Sequence, residues 1–257
     1  MKKNPLVSII IPYFRKKKYF KDTINSIISQ SYKKLEIIVI YDDANKSELQ
    51  FVEKTLEKFK NKKILINKKS LGPGLSRNKG IIKSKGAYIA FCDADDVWKK
   101  NKLKVQLSFM QKNKIDFSHT NYFIINKYSK IIGQFKIEKK LNYQDLLRSC
   151  DIGLSTVLAK KKIFNKNKFS SLTTKEDYLL WLKILKKKKF ISGINKNLSS
   201  WRLLEKSLSS SVTQKVSDSF KLYHNYEKYN VIISLFFMLR LTYFALIKKI
   251  NIYLMEG

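Results

Sequence analysis

A chain of 257 residues has room for one large domain or two small lobes, and 44% hydrophobic residues with a mean hydropathy of -0.30 suit a soluble protein with a core. Two cysteines, Cys92 and Cys150, exclude a disulfide framework and a cysteine-based zinc site, and point to a reducing compartment. A formal net charge of +33 favours anionic partners (nucleotide, anionic lipid or nucleic acid), although lysine spread over solvated faces is the plainer reading.

The opening MKKNPLVSIIIPYF has a basic start and an apolar stretch, but Pro12 and Arg15–Lys18 interrupt it and no small-residue cleavage site follows, which argues against a signal peptide. Leu6–Ile11 reads as a buried β-branched strand ending at Pro12. Tyr19–Gln30 carries Phe20, Ile24, Ile27 and Ile28 at helical spacing. A second strand, Leu35–Tyr41, ends at Asp42–Asp43, and a helix over Ser47–Phe59 follows. Lys63–Ile66 is a short strand, Leu71–Gly74 (LGPG) a turn, and Leu75–Ser84 a short helix leading to Gly86. This alternation predicts a parallel α/β sheet with helices on both faces. Ligands in such sheets sit beyond the carboxyl ends of the strands.

The organising stretch is Ala87–Trp98, AYIAFCDADDVW: a short apolar strand followed by Asp93, Asp95 and Asp96. Carboxylates this close repel, so a positive group is expected among them. Such oxygen donors suit Mg2+ or Mn2+ held together with substrate phosphates. Pro12–Tyr13, Asp42–Asp43 and Asp93–Asp96 stand at three strand ends and should converge on one crevice.

After Trp98 the rhythm changes. Lys102–Met110 is helical, Asp116–Ile125 and Lys130–Phe135 read as strands around a turn, and Tyr143–Arg148 is a short helix before the apolar run Gly153–Ala159. Thr174–Leu185 is a helix that opens with acids, the end a helix dipole favours for negative charge. Phe190–Trp201 leads to Arg202, and Lys186–Lys189 reads as a solvated helix end. Arginine is the better bidentate phosphate binder, and only Arg15, Arg77, Arg148, Arg202 and Arg240 occur.

Five stretches in order carry a resemblance: VSIIIPYF (Val7–Phe14), INSIISQSYKKLEIIVIYDD (Ile24–Asp43), LGPGLSRNKGI (Leu71–Ile81), the D-x-D strand and KEDYLLWLKIL (Lys175–Leu185). Together they resemble a family 2 inverting glycosyltransferase of the GT-A fold, of the kind that serves bacterial polysaccharide or lipopolysaccharide synthesis. The resemblance implies a mixed α/β sheet with helices on both faces and a C-terminal helical extension. It divides the chain into a catalytic domain over 1–210, with a nucleotide-binding half (1–98) and an acceptor-binding half (99–210), and a helical segment over 211–257. It implies transfer of a sugar from a nucleotide-diphosphate sugar, a UDP-sugar by preference, to a glycan or lipid-linked acceptor, with Mn2+ or Mg2+ as cofactor.

Residue by residue, the resemblance implies that Pro12 and Tyr13 line the nucleotide pocket, Asp42 and Asp43 read the base edge, and Arg77 contacts the nucleotide beside a structural Asn78. Asp95 would ligate the metal, with Asp93 also a ligand but nearer the ribose, and Asp96 would cap the helix near Lys99–Met110. Asp177 would be the base that takes the acceptor proton, with Glu176 its runner-up, while Trp181 reads as core. Arg202, in WRLLEKSLSSS (Trp201–Ser211), would clamp the diphosphate on loop closure. Gly153–Thr156 resembles the stretch facing the acceptor. Arg15 and Ala44–Asn45 depart from the family's commoner Asn and Gly-Ser. His119 and His224 have no partner at metal-ligand spacing.

Two other readings compete. A nucleotidyltransferase would need a Gly-rich loop after the first strand, and Tyr13–Lys18 has no Gly. A nucleic-acid-binding protein is suggested only by charge, and acidic clusters in the cleft oppose it, so no nucleic-acid partner is expected. Val231–Ile247 is apolar except for Ser234, Arg240 and Thr242. As a helix it is about 25 Å long, short of a ~30 Å hydrocarbon core, with a mid-helix arginine costing on the order of 3 kcal/mol to insert. The preferred expectation is an interfacial helix on an anionic membrane, with Lys228, Arg240, Lys248 and Lys249 reaching head groups. Packing against the catalytic domain is the alternative. The implied location is cytoplasmic, peripheral on the inner face of the membrane.

Overall fold

The computed structural model describes residues 4–205 and 211–253, with side chains through 247. The first two strands, β1 (Val7–Tyr13) and β2 (Leu35–Tyr41), pair in parallel from Val7 opposite Leu35 to Tyr13 opposite Tyr41. Both are largely apolar because helices cover both faces, and the one polar side chain on the apolar run of each, Ser8 and Glu36, meets the other, Ser8 Oγ donating to Glu36 Oε1 (2.5 Å). β3 (Lys62–Ile66) continues the sheet beyond β2, and β4 (Tyr88–Phe91) flanks β1 on its other side, both in parallel.

Alternation along the strands sorts the core. Val7, Ile9 and Ile11 pack with Phe20, Ile24 and Ile27 of α1 (Lys17–Ile28) and with Val52 and Leu56 of α2 (Lys46–Leu56). Ile10, Ile38 and Ile40 face the other way, toward Ile81 of α3 (Gly72–Lys83). Here Gly80 permits close approach: a Cβ would lie 2.6 Å from Ile10 Cγ2 and 2.9 Å from Ile40 Cδ1. α3 begins at Gly72, inside the stretch read from sequence as a turn, because Pro73 in a first turn sacrifices no hydrogen bond. Gly72 takes φ +77°, a conformation glycine alone adopts freely.

The parallel rhythm stops after β4. The chain continues through β5 (Val97–Trp98), α4 (Lys102–Lys112), β6 (Phe117–Ile125), β7 (Ile131–Phe135), β8 (Lys140–Leu141), α5 (Tyr143–Arg148), β9 (Leu158–Lys160), α6 (Glu176–Leu185) and β10 (Ile191–Arg202). The sheet runs β3-β2-β1-β4-β9-β6-β10-β5, with β7 on β6 and β8 on β10. β9 is antiparallel to both β4 and β6 and so joins the two halves into one mixed sheet. α6 is almost wholly buried, with Tyr178, Leu179, Leu180, Trp181 and Leu182 inaccessible, and Trp181 is core as expected. Its ring lies edge-on to Phe117 and Phe169. This packing fixes the direction in which the acidic start of α6 points.

The C-terminal part consists of α7 (Val212–Lys221), a π-helical turn over Leu222–Tyr226, and α8 (Val231–Tyr253). One face of α8 packs on the domain: Ser234 and Leu241 are buried, and Phe237 stacks on the buried Tyr223. Arg240 corrects the expectation of a head-group contact. Its Nη2 donates to the Leu147 carbonyl (3.1 Å), and its guanidinium lies over Phe236 and Phe237, so the charge turns inward. Among the described residues no helix is long and apolar enough to cross a membrane. Lys248 and Lys249 lie outside the residues whose side chains are described.

Candidate active site

The ends of β1, β2, β4 and β10 and the start of α6 meet at one crevice. Arg77 of α3 holds it together: Nη2 donates to Asp93 Oδ1 (2.7 Å) and Nη1 to Glu176 Oε1 (2.6 Å), across 99 residues of chain. Its guanidinium lies 5.5 Å above the Phe169 ring. Burial acts to lower the pKa of Arg77, but the charges of Asp93 and Glu176 outweigh it and the net shift is upward. Gly74 makes the meeting possible, since a Cβ there would sit 2.6 Å from the Ser170 carbonyl oxygen and 3.0 Å from Glu176 Cγ. Asn78 is structural, exchanging two hydrogen bonds with the Phe169 backbone.

The positive groups expected among the three aspartates are present, one on Asp93 and one on Asp95. Arg77 holds Asp93, and Lys16 Nζ contacts Asp95 Oδ2 at 2.6 Å. Burial, with the charge of Asp93, raises the pKa of Asp95 although Lys16 opposes the shift. Asp96 is not the helix cap expected: α4 starts six residues later with no side-chain cap bond at Asn101. Asp96 is instead buried, accepting from Ser155 Oγ (2.5 Å) and from the Arg202 backbone N–H (3.0 Å). Burial, then the neighbouring charges of Asp95 and Asp93, raise its pKa well above the usual aspartate value, although Ser155 and the Arg202 N–H oppose the shift. Ser155 also accepts from the Asp93 backbone N–H (3.0 Å), and the Trp98 indole donates to the Ser155 carbonyl (3.0 Å). The serine of the GLST stretch is thus a strut of the D-x-D turn.

Three site residues take positions that the resemblance did not imply. Tyr13 cannot line a pocket with its side chain, because strand alternation sends it to the opposite face from Pro12. There it is fully buried against Phe20 and Tyr41 and donates to Glu48. Pro12 remains partly exposed at the crevice. Arg202 is not on a closing loop: it ends β10, 3% exposed, with Nε donating to the Asp95 carbonyl (2.9 Å) and Nη1 to the Asn126 carbonyl (3.1 Å) and Ser129 Oγ (2.9 Å). Its guanidinium lies 4.7 Å above the Tyr19 ring, so it braces the D-x-D turn from behind. Of the serines expected to follow it, Ser207, Ser209 and Ser210 lie outside the described residues, and Ser211 caps α7, accepting from the Gln214 backbone N–H (3.3 Å).

Asp42 is consumed by the scaffold. Its oxygens accept from the backbone N–H groups of Leu71 and Gly72 (2.8 Å each), from Asn67 Nδ2 (2.7 Å) and from Ser70 Oγ (3.1 Å). It therefore fixes the start of α3, and through it Arg77. Asp43, its side chain covered by the exposed Arg15, accepts from Arg15 Nε (3.3 Å) and from the Ala44 backbone N–H (2.8 Å).

At the start of α6 the two acids diverge, as neighbours on a helix must. Glu176 is buried on Arg77, whereas Asp177 is partly exposed and accepts only locally, from the Tyr178 N–H (2.7 Å). Burial and the Asp177 charge raise Glu176 to about 7, and burial raises Asp177 above the ordinary aspartate range despite Arg77. Asp93 adds to the Asp177 shift, which places both carboxylates within one electrostatic neighbourhood.

Asp93 and Asp95 are hard oxygen donors two positions apart at a strand end. Among the described residues no three His, Cys, Asp or Glu side chains gather around a metal position. A pair of carboxylates fits a Mg2+ or Mn2+ ion that draws its remaining ligands from substrate phosphates and water. Lys16, on a flexible stem, holds one of these oxygens and can be displaced. Nothing in the sequence singles out Lys16 beyond the Arg15–Lys18 run, Ser155 beyond the Gly153–Thr156 stretch, or the Glu176–Arg77 pair.

The sequence profile described as Glycosyl transferase family 2 matches residues 8–173. The chain is 38% identical over 211 residues, 80% of each chain, to UDP-Glc:alpha-D-GlcNAc-diphosphoundecaprenol beta-1,3-glucosyltransferase WfgD of Escherichia coli. It is 31% identical over 228 residues to the putative teichuronic acid biosynthesis glycosyltransferase TuaG of Bacillus subtilis, covering 87% of this chain and 89% of that one. The fold is similar to that of S. aureus TarS 1-349 in complex with UDP-GlcNAc (TM-score 0.72, 21% identity, 85% of this chain and 64% of that one). It is also similar to that of the mannosyltransferase PcManGT from Pyrobaculum calidifontis in complex with GDP-Man and Mn2+ (TM-score 0.69, 11% identity, 92% and 70%).

Proposed function

Because the chain belongs to glycosyl transferase family 2, we propose that it is a metal-dependent inverting enzyme that moves a hexose from a UDP-sugar to a saccharide carried on a lipid diphosphate. The observation that carries this reading is the Asp93–Arg77–Glu176 bridge, which sets the D-x-D turn and the acidic start of α6 on one crevice. The substrates of the Escherichia coli relative WfgD, UDP-Glc and a diphosphoundecaprenol-linked GlcNAc, support the choice of donor and acceptor.

Asp95, with Asp93, would hold the metal, which when bound supplies positive charge to the leaving diphosphate. Pro12 and Asp43 border the end of the crevice where β1 and β2 finish, and take the nucleoside. Arg77 does not reach out to the nucleotide; it orients Asp93 and Glu176. Asp177 accepts the proton of the acceptor hydroxyl as that oxygen forms a bond to the anomeric carbon. The bond from that carbon to the diphosphate oxygen breaks on the opposite face, and its electron pair leaves with the diphosphate. A base raised toward neutrality by burial suits this role. Glu176 cannot serve equally, since its carboxylate is occupied by a guanidinium.

The test is a screen of nucleotide-sugars with the purified protein, Mn2+ and a lipid-diphosphate GlcNAc acceptor, reading the product's anomeric configuration. Inverted product from UDP-glucose is expected. Retained configuration, or no turnover of any nucleotide-sugar with metal, would end the reading.

A further inference from the structure

α8 presents its inner face to the domain and leaves its outer face uncovered. Ile232, Leu235, Phe236, Leu239, Tyr243 and Leu246 are between 42% and 80% exposed. Their spacing of three and four residues puts them on one stripe. The only charged residue between Val231 and Ile247 is Arg240, and it turns away to the Leu147 carbonyl. Apart from the Arg240 guanidinium 5.6 Å from the Phe236 ring, the stripe carries no charge, and an exposed apolar patch of this extent marks a contact surface.

A second feature adjoins the start of this helix. A cavity of about 430 Å³ is lined by Lys166, Lys168, Lys183, Lys186 and Lys187, with Tyr226 in its wall and no carboxylate in its lining. Tyr226 precedes α8 by five residues, and Lys183 Nζ lies 5.2 Å above its ring. Glu227, the nearest acid in sequence, is buried, accepts from Tyr143 and pairs with Lys186 of this lining (2.8 Å), which leaves Lys166, Lys168, Lys183 and Lys187 as the cavity's lysines without a carboxylate in the lining. The cavity sits at the C-terminal end of α6, whereas Asp177 is at the N-terminal end, so it is separate from the active-site crevice.

We propose that the α8 stripe and the lysine-lined cavity form one docking surface for a bilayer of anionic phospholipid, the stripe entering the acyl boundary and the cavity receiving phosphate head groups. Apolar area and cationic charge side by side are the two components of interfacial binding. An acidic protein partner would match the lysines but not six uncharged apolar side chains, and a second copy of this chain would bring lysines against lysines. The link to the reaction rests on the transferase reading: a lipid-linked acceptor would be met at the surface that holds it.

The experiment is co-sedimentation of the full chain with phosphatidylcholine vesicles, with and without phosphatidylglycerol. Binding is expected to the anionic vesicles and to weaken as salt rises. Phe236→Glu/Leu239→Glu should lower partitioning about a hundredfold, and Lys166→Glu/Lys168→Glu/Lys187→Glu on the order of tenfold or more. All these positions are exposed, so UDP-dependent thermal stabilisation should be unchanged in both variants. The proposal is overturned if the full chain ignores anionic vesicles at low salt, or if both variants bind as it does. It is also overturned if sedimentation velocity shows a dimer that Phe236→Glu/Leu239→Glu breaks without altering vesicle binding. Vesicle binding without sugar transfer would support the docking and remove the catalytic reading, and turnover of a soluble acceptor without vesicle binding would do the reverse.

Discussion

Two acidic pairs border the crevice, Asp42–Asp43 at the end of β2 and Glu176–Asp177 at the start of α6, and they are built differently. In the second pair Glu176 is buried in the scaffold and Asp177 is partly exposed, whereas in the first both side chains are covered, Asp43 by the exposed Arg15. Asp42 is held by four neutral donors of the turn into α3. Glu176 is held by one cation that it shares with Asp93. The first arrangement fastens a turn. The second fastens the metal-ligand strand to the helix that carries the proposed base, so its loss is felt across the crevice. Neighbouring acids in sequence are therefore placed separately, and which residue is held in the scaffold follows from the direction each side chain takes.

The strongest way to break this comparison is within the second pair. Asp177→Asn is expected to lower kcat about a thousandfold while UDP binding, read by calorimetry, stays intact. Glu176→Gln should lower it about tenfold through misplacement, and equal losses in both variants would erase the distinction. Next in size, Asp95→Asn should reduce kcat on the order of a hundredfold and abolish the Mn2+-dependent part of UDP binding, whereas full activity in EDTA would remove the metal from the scheme.

The pH profile sharpens the same contrast. A base must be deprotonated and Asp177 is raised, so kcat/KM should fall with acid at a pH above the ordinary aspartate range. Stability runs the other way for Glu176, whose folded pKa of about 7 lies above the usual 4.5. Its contribution to folding is complete below about 4.5 and is lost as pH rises through 7. Chemical denaturation across that window should show a slope that Glu176→Gln flattens.

Smaller effects separate the first pair. Asp42→Asn leaves buried donors facing an amide and should cost about 2 kcal/mol of stability, with donor KM changed only through the loosened α3. Asp43→Asn should leave stability nearly unaltered and raise donor KM about fivefold. The reverse assignment of these two effects would show that Asp42, not Asp43, faces the nucleoside.

Much of this molecule was legible in the chain itself. Local patterns determined β1 to β4 and their helices, because apolar runs, helical spacing and strand-end polarity are properties of neighbouring residues. They also marked the acidic cluster Asp93, Asp95 and Asp96 at a strand end, the buried Trp181, and the need for positive charge among the aspartates, whereas the role proposed for Asp177 came from the family resemblance. What only the tertiary structure decided concerns contacts between distant segments. Arg77 meets Glu176 across 99 residues, Arg202 meets Asp95 and Asp96 across more than 100, and Lys16 meets Asp95 from another strand end. Strand alternation, which follows from register, turned Tyr13 inward. Packing of α8 turned Arg240 away from the surface and left the apolar stripe outside. Sequence sets what each side chain can do at short range, and burial against remote segments decides which one is left free to do it.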